Sequence, residues 1–151
     1  SVQFREWEFM LGHKRDRPLA NYPEGSEARM TLERRLHEPS VWEGVLGFLS
    51  RHGVEVPVEA FAEGIEPTRT CEAMLPELIR MYRDLPRLRG LCELLVDLDE
   101  GIQEWRYRHV KMVERTIGFK KGTGGSPGVG YLQKTLFQPL FPDLWTIRTE
   151  L

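Results

Sequence analysis

Between Leu91 and Thr116, the residues Leu91, Leu95, Leu98, Ile102, Trp105, His109, Met112 and Thr116 recur at steps of three or four. That spacing draws one continuous stripe along a helix face and predicts a single long helix, with the remaining segments packed along it. Every member is apolar except His109 and the terminal Thr116. An imidazole on a buried stripe must find partners for its ring nitrogens or its burial costs free energy. The helix is expected to stop at Gly118, and six of the chain's 14 glycines fall between Gly118 and Gly130. Such a loop exposes backbone N–H groups and lets a ligand approach closely. Two readings fit these residues: a hydrogen-bonded core histidine followed by an ordinary surface turn, or a ligand site.

The chain has 151 residues, the length of one domain, with enough apolar content (40%) to form a core. Its 21 basic and 23 acidic residues nearly cancel, which argues against nucleic acid as a partner. Cys71 and Cys92 have no CxxC spacing and are too few for a disulfide scaffold, so they read as reduced thiols in a cytoplasmic protein. No apolar run approaches the roughly twenty residues that span a bilayer, and a signal peptide is not expected. The chain opens on Ser1, with Phe4, Trp7 and Leu11 already at helical spacing. Earlier residues are therefore expected to exist outside it.

Taken in order, residues 1–11 predict an amphipathic helix stopped by Gly12, with Arg5 beside its apolar side. Pro18, Asn21 and Pro23 mark a loop, and Ser26 is the expected N-cap of a helix through about His37. Pro39-Ser40 restarts a helix burying Val41, Val45, Leu46 and Leu49 and ending at Gly53. Val54-Glu-Val56 is a candidate for a lone short strand in a mostly connecting stretch up to Thr70. A further helix from Cys71 uses Met74, Leu75, Leu78, Ile79 and Tyr82, before Pro86 breaks the chain ahead of the long helix. Beyond the glycines, Tyr131, Leu132 and Leu136 suggest a short helix. Pro139 and Pro142 interrupt it, and Phe141, Leu144, Trp145 and Ile147 form an apolar tail that must dock. The expected fold class is all-α: a helical bundle with one long central helix ending in a glycine-rich loop.

Charge along the long helix is divided. Glu93, Asp97, Asp99, Glu100 and Glu104 precede Arg106, Arg108, Lys111 and Arg115, which complements the helix dipole and reads as a solvated face. The basic end, next to the glycines, would also suit an anionic ligand. The loop itself lacks a GK[ST] ending, does not match GxGxxG and follows a helix rather than a strand, so nucleotide binding is not expected. His13, His37 and His52 form no metal-ligand spacing, which argues against zinc. Neither Ser40 nor Ser126 has an arguable histidine–carboxylate partner for nucleophilic catalysis. A lone histidine can still serve as the axial ligand of a haem iron, because the porphyrin supplies the other four nitrogens. Trp105 lies one turn before His109 on the same face, placed to support it.

Trp105-Arg-Tyr-Arg-His109-Val-Lys-Met-Val-Glu-Arg-Thr-Ile-Gly118, followed by Gly122-Thr-Gly-Gly-Ser126, resembles the tryptophan 2,3-dioxygenase family of haem enzymes. The likeness continues through Gly128-Val-Gly-Tyr-Leu132 to Phe141-Pro-Asp-Leu-Trp-Thr-Ile-Arg148. Gln3-Phe-Arg-Glu-Trp-Glu-Phe-Met-Leu-Gly12 is similar to the family's helix that carries a substrate-binding arginine. Residues 13–90 resemble the family in helical layout alone.

The resemblance implies a haem b enzyme that inserts O₂ into the C2–C3 bond of the indole of L-tryptophan to give N-formylkynurenine, in a homotetramer. It implies His109 as the axial ligand of the haem iron, Trp105 as its support, and Gly124, Gly125 and Ser126 as cofactor surroundings. It implies Arg5 as the clamp on the amino-acid carboxylate, joined by Thr123; an arginine fork matches a carboxylate in geometry as well as charge. His13 and Pro127 depart from the family's usual asparagine and serine. The family's distal histidine and aromatic pocket residues precede the arginine helix. Residues 1–151 are thus expected to be the C-terminal part of a haem-binding helical domain, without catalytic residues of their own and inactive alone. Two alternatives remain open: a haem-dependent aromatic hydroxylase of the same superfamily acting on L-tyrosine, or a non-catalytic helical module docking through its first helix and its Phe141–Ile147 tail.

Overall fold

The computed structural model describes residues 2–13, 15, 17–61, 70–118, 133 and 136–151. Among them every regular element is helical. Helix α1 (Val2–Leu11) ends at Gly12, whose φ of 109° is open to glycine at little cost. Helix α2 (Glu27–Leu36) begins at Ser26, whose hydroxyl accepts from the Arg29 amide. Helix α3 (Val41–Arg51) begins with a complete capping box: Ser40 Oγ accepts from the Glu43 amide, and the Glu43 carboxylate accepts from the Ser40 amide at 2.6 Å. Helix α4 (Leu75–Asp84) follows a short 3₁₀ turn at Glu72–Met74. Leu85 alone separates it from α5 (Pro86–Ile117), where Pro86 at the first turn forfeits no helical hydrogen bond. Helix α6 (Pro142–Thr146) and a final 3₁₀ turn at Ile147–Glu150 close the chain.

Helix α5 has 32 residues and runs about 48 Å at 1.5 Å per residue. It stops at Gly118 (φ 60°), as expected from the sequence. The glycine-rich segment that follows, like Tyr131 and Leu132, lies outside the described residues.

The buried face of α5 is not the stripe counted from apolar residues. It comprises Leu88, Cys92, Leu95, Val96, Asp99, Ile102, Arg106 and Val110. Of the counted stripe, Leu95 and Ile102 are buried, Leu91, Trp105 and His109 are half-buried, and Leu98, Met112 and Thr116 are exposed. The true face is rotated by one residue because Asp99 and Arg106 sit on it, and a count of apolar positions passes over both. Neither belongs to a solvated face, contrary to the reading of the charged residues as dipole complements.

Three smaller expectations also change. Val41 is exposed and Trp42 takes its place in the core. Val54 and Val56 form no strand; Val54 is buried in an extended connection. The apolar tail docks on its own chain: Phe141, Leu144 and Ile147 are at most 1% exposed and join the core with Trp42, Leu46, Leu78 and Leu95. Those three side chains are therefore taken up within the chain, where docking on partner chains was one expectation.

Candidate functional site

Asp99 is fully buried and holds the end of the chain against α5. Its Oδ2 accepts from the Leu140 amide (2.9 Å), the Phe141 amide (3.2 Å) and the Trp145 indole N–H (2.9 Å), while Oδ1 accepts from Gln103 Nε2 (3.1 Å). Four donors compensate a carboxylate that would otherwise be costly to bury. Nothing in the sequence marks Asp99 among its acidic neighbours. The usable signal was the need of a proline-interrupted tail for a backbone acceptor.

One and a half turns further on, Trp105 receives α1. Phe4 stacks on its indole (centroids 6.4 Å apart, 10° between planes), and Trp7 packs against it at 5.1 Å with a 58° tilt. These two side chains are three residues apart and share one face of α1. The indole also stacks on His109, with centroids 5.2 Å apart and 7° between planes. His109 is half-buried, and among the described residues neither ring nitrogen has a hydrogen-bond partner.

Arg5, next to Phe4 on α1, is exposed, and its side chain makes no hydrogen bond or ion pair among the described residues. Neighbouring arginines are engaged. Arg35 pairs with Glu6 at 2.9 Å, and Arg15 donates to the carbonyls of Arg35 and Glu38. The described structure thus joins His109, Trp105 and the helix of Arg5 into one assembly. Thr123, Gly124, Gly125 and Ser126 lie outside the described residues.

This arrangement suits an axial haem ligand. The imidazole lies against a parallel indole, its nitrogens are uncommitted among the described residues, and it sits half in solvent on a flank of α5 that also carries exposed Leu98 and Met112. A planar apolar macrocycle needs such a flank. A groove of about 390 Å³ lined by Tyr82, Arg83, Arg89, Glu93 and Arg148 belongs to the opposite end of α5. Glu93 is sixteen residues from His109, about 24 Å along the helix, so the groove is not part of this site.

His13, by contrast, is fully buried against Phe141, with ring centroids 6.5 Å apart. Buried Asp143 accepts from the Cys71 amide at 3.0 Å, and burial pushes its carboxyl up to about 6. Burial likewise raises the Cys92 thiol to about 12, which keeps it protonated and unreactive. No group of three or more His, Cys, Asp or Glu able to hold a metal occurs among the described residues. No described helix is long and apolar enough to cross a membrane.

Comparison with known proteins extends the likeness across the chain. The family model described as tryptophan 2,3-dioxygenase matches residues 69–151. The tryptophan 2,3-dioxygenase of Herpetosiphon aurantiacus is 49% identical over 152 residues, an alignment covering 100% of this chain and 58% of that one. That of Anaeromyxobacter sp. (strain K) is 49% identical over 153 residues, covering 100% and 57%. That of Pseudomonas fluorescens is 39% identical over 157 residues, covering 100% and 55%. The chain therefore spans a little over half the length of these relatives and corresponds to their C-terminal part. Residues 13–90, which resembled the family in layout alone, fall within these alignments.

Proposed function

Because the chain belongs to the tryptophan 2,3-dioxygenase family, we propose that it is the C-terminal part of a haem-dependent enzyme that cleaves the indole ring of L-tryptophan with O₂. The observation that carries this reading is the half-buried His109 ring, stacked on Trp105 with both nitrogens uncommitted among the described residues. His109 would hold the haem iron through one ring nitrogen. Gly124, Gly125 and Ser126 would border the cofactor. The haem, when bound, supplies the activation of O₂.

The protein's part is placement. Trp105 restrains the imidazole by stacking and would so fix the orientation in which His109 holds the cofactor. Arg5 offers a planar fork to the amino-acid carboxylate, with the Thr123 hydroxyl beside it. Anchoring that carboxylate fixes where the ligand's ring can lie and lowers the entropy cost of reaching a reactive pose. The net reaction adds both oxygen atoms across the C2–C3 double bond, breaking it and giving N-formylkynurenine with no atom lost. The distal wall and water exclusion are supplied by sequence corresponding to the rest of the relatives' length. Residues 1–151 alone are accordingly inactive, and the active form is a cytoplasmic homotetramer.

The test is full-length protein expressed with haem supplementation and given tryptophan, ascorbate and O₂. Formation of N-formylkynurenine is expected, and His109→Ala abolishes it. Hydroxylation of tyrosine with tryptophan untouched would move the protein to the hydroxylase branch. Protein that takes up no haem would leave a helical module.

A further inference from the structure

Arg106 joins three elements at one buried point. Its guanidinium lies over the Phe4 ring at 4.5 Å and donates to the Gln138 carbonyl at 3.2 Å, and the residue is 8% exposed. Gln138 immediately precedes the segment that Asp99 fastens through the Leu140 and Phe141 amides. Phe4 thus has the guanidinium against its face and stacks on Trp105, while Trp7 packs on that same indole.

From this geometry we infer that Arg106 is a positioning residue for the carboxylate clamp. It sets the pose of the first turn of α1 on α5, and with it the direction in which Arg5 presents its guanidinium relative to His109. The inference rests on the reading that Arg5 binds the ligand carboxylate beside a haem held by His109.

Phe4 and Trp7 share one face of α1, and Arg5 follows Phe4 by one residue, about 100° around the helix. Further along α1, Glu6 pairs with Arg35 at 2.9 Å and Phe9 and Leu11 are buried, so removing the Arg106 guanidinium loosens the first turn alone, where Phe4 loses one of its supports. Arg5 lies in that turn and shifts with it. The Arg5 side chain makes no polar contact among the described residues, so its direction follows the backbone of the turn. Two-point recognition of a carboxylate is sensitive to the plane of the fork, whereas contacts to the ligand's ring do not pass through Arg5. The loss is therefore expected in carboxylate recognition specifically. Lysine keeps a cation over Phe4 and preserves part of the support.

The experiment titrates full-length, haem-loaded protein with L-tryptophan and with tryptamine, which lacks the carboxylate, reading the change in haem absorbance. Arg106→Met is expected to weaken L-tryptophan by about tenfold and tryptamine by less than about twofold, with the Soret position of the free protein unchanged. Arg106→Lys recovers most of the L-tryptophan affinity. Equal weakening of both ligands, or none, overturns the inference while leaving the assignment of Arg5 standing. Wild-type protein that does not distinguish L-tryptophan from tryptamine overturns that assignment and the inference with it.

Discussion

The indole of Trp105 and the imidazole of His109 lie parallel, 5.2 Å apart at their centroids and 7° apart in plane. They stand four positions apart on α5, so the helix brings the rings together and stacking limits how the imidazole can tilt. Most polar side chains around the stack are already committed. Arg106 serves Gln138, and Asp99 serves the C-terminal segment. The side chains of His109 and Arg5 have no hydrogen-bond partner among the described residues.

Replacing Trp105 by Ala removes the restraint on the imidazole while keeping the ligand. Haem affinity should fall by about tenfold, the low end for groups that orient a metal-binding histidine. Trp105→Phe, which retains an aromatic face, should retain most of it. His109→Ala should abolish axial ligation. Soret titration of apoprotein reads all three, and unchanged affinity in Trp105→Ala would remove the stack from the account.

Arg5→Ala should weaken L-tryptophan binding at least about tenfold, since a charge-assisted hydrogen bond contributes on the order of 1.5–3 kcal/mol. Thr123→Val should have a smaller effect in the same direction. Equilibrium titration of the full-length holoprotein decides both. Undiminished affinity in Arg5→Ala would assign the carboxylate to another group.

Asp99→Ala should destabilise the fold sharply. It leaves the Leu140 and Phe141 amides and the Trp145 indole N–H without their acceptor. At about 1–3 kcal/mol for each buried donor left unpaired, the loss is about 3 kcal/mol or more. Asp99→Asn, which keeps an acceptor oxygen, should cost less. Denaturant titration followed by circular dichroism measures the difference, and a loss below about 1 kcal/mol for Asp99→Ala would show that the tail docks by apolar contact alone.

Asp143 makes stability depend on pH. Its carboxyl is raised from 3.8 to about 6 by burial, so the folded chain holds that proton more tightly than the unfolded chain does. The group contributes nothing below about pH 4 and becomes a growing penalty as pH rises through about 6. Asn can still accept from the Cys71 amide without ionising. Asp143→Asn should thus gain on the order of 1–3 kcal/mol over wild type at pH 7–8, and the gain should vanish near pH 4. A pH-independent difference between the two proteins would refute the linkage.

Helix positions were legible where local chemistry dictates them. Ser26 and Ser40 cap as their types require, Gly12 and Gly118 stop helices, and Pro86 opens α5. The pairing of Trp105 with His109 was legible because four positions along one helix bring two rings onto the same face. What escaped was long-range and polar. Asp99 looks like one carboxylate among several until residues 41 and 42 positions away need an acceptor. Arg106 looks like part of a basic end until Phe4, from the far end of the chain, is found beneath it. Apolar periodicity cannot register a buried charge, and for that reason it placed the core face of α5 one residue off. The tail's need to dock was visible in its composition, but not that it docks on its own chain.

The most direct test of the central claim is isotopic. Full-length haem-loaded protein turns over L-tryptophan under ¹⁸O₂, and the product is weighed by mass spectrometry. N-formylkynurenine carrying both labelled atoms is expected, with no product from His109→Ala. A product carrying one labelled atom, or none, would contradict that claim.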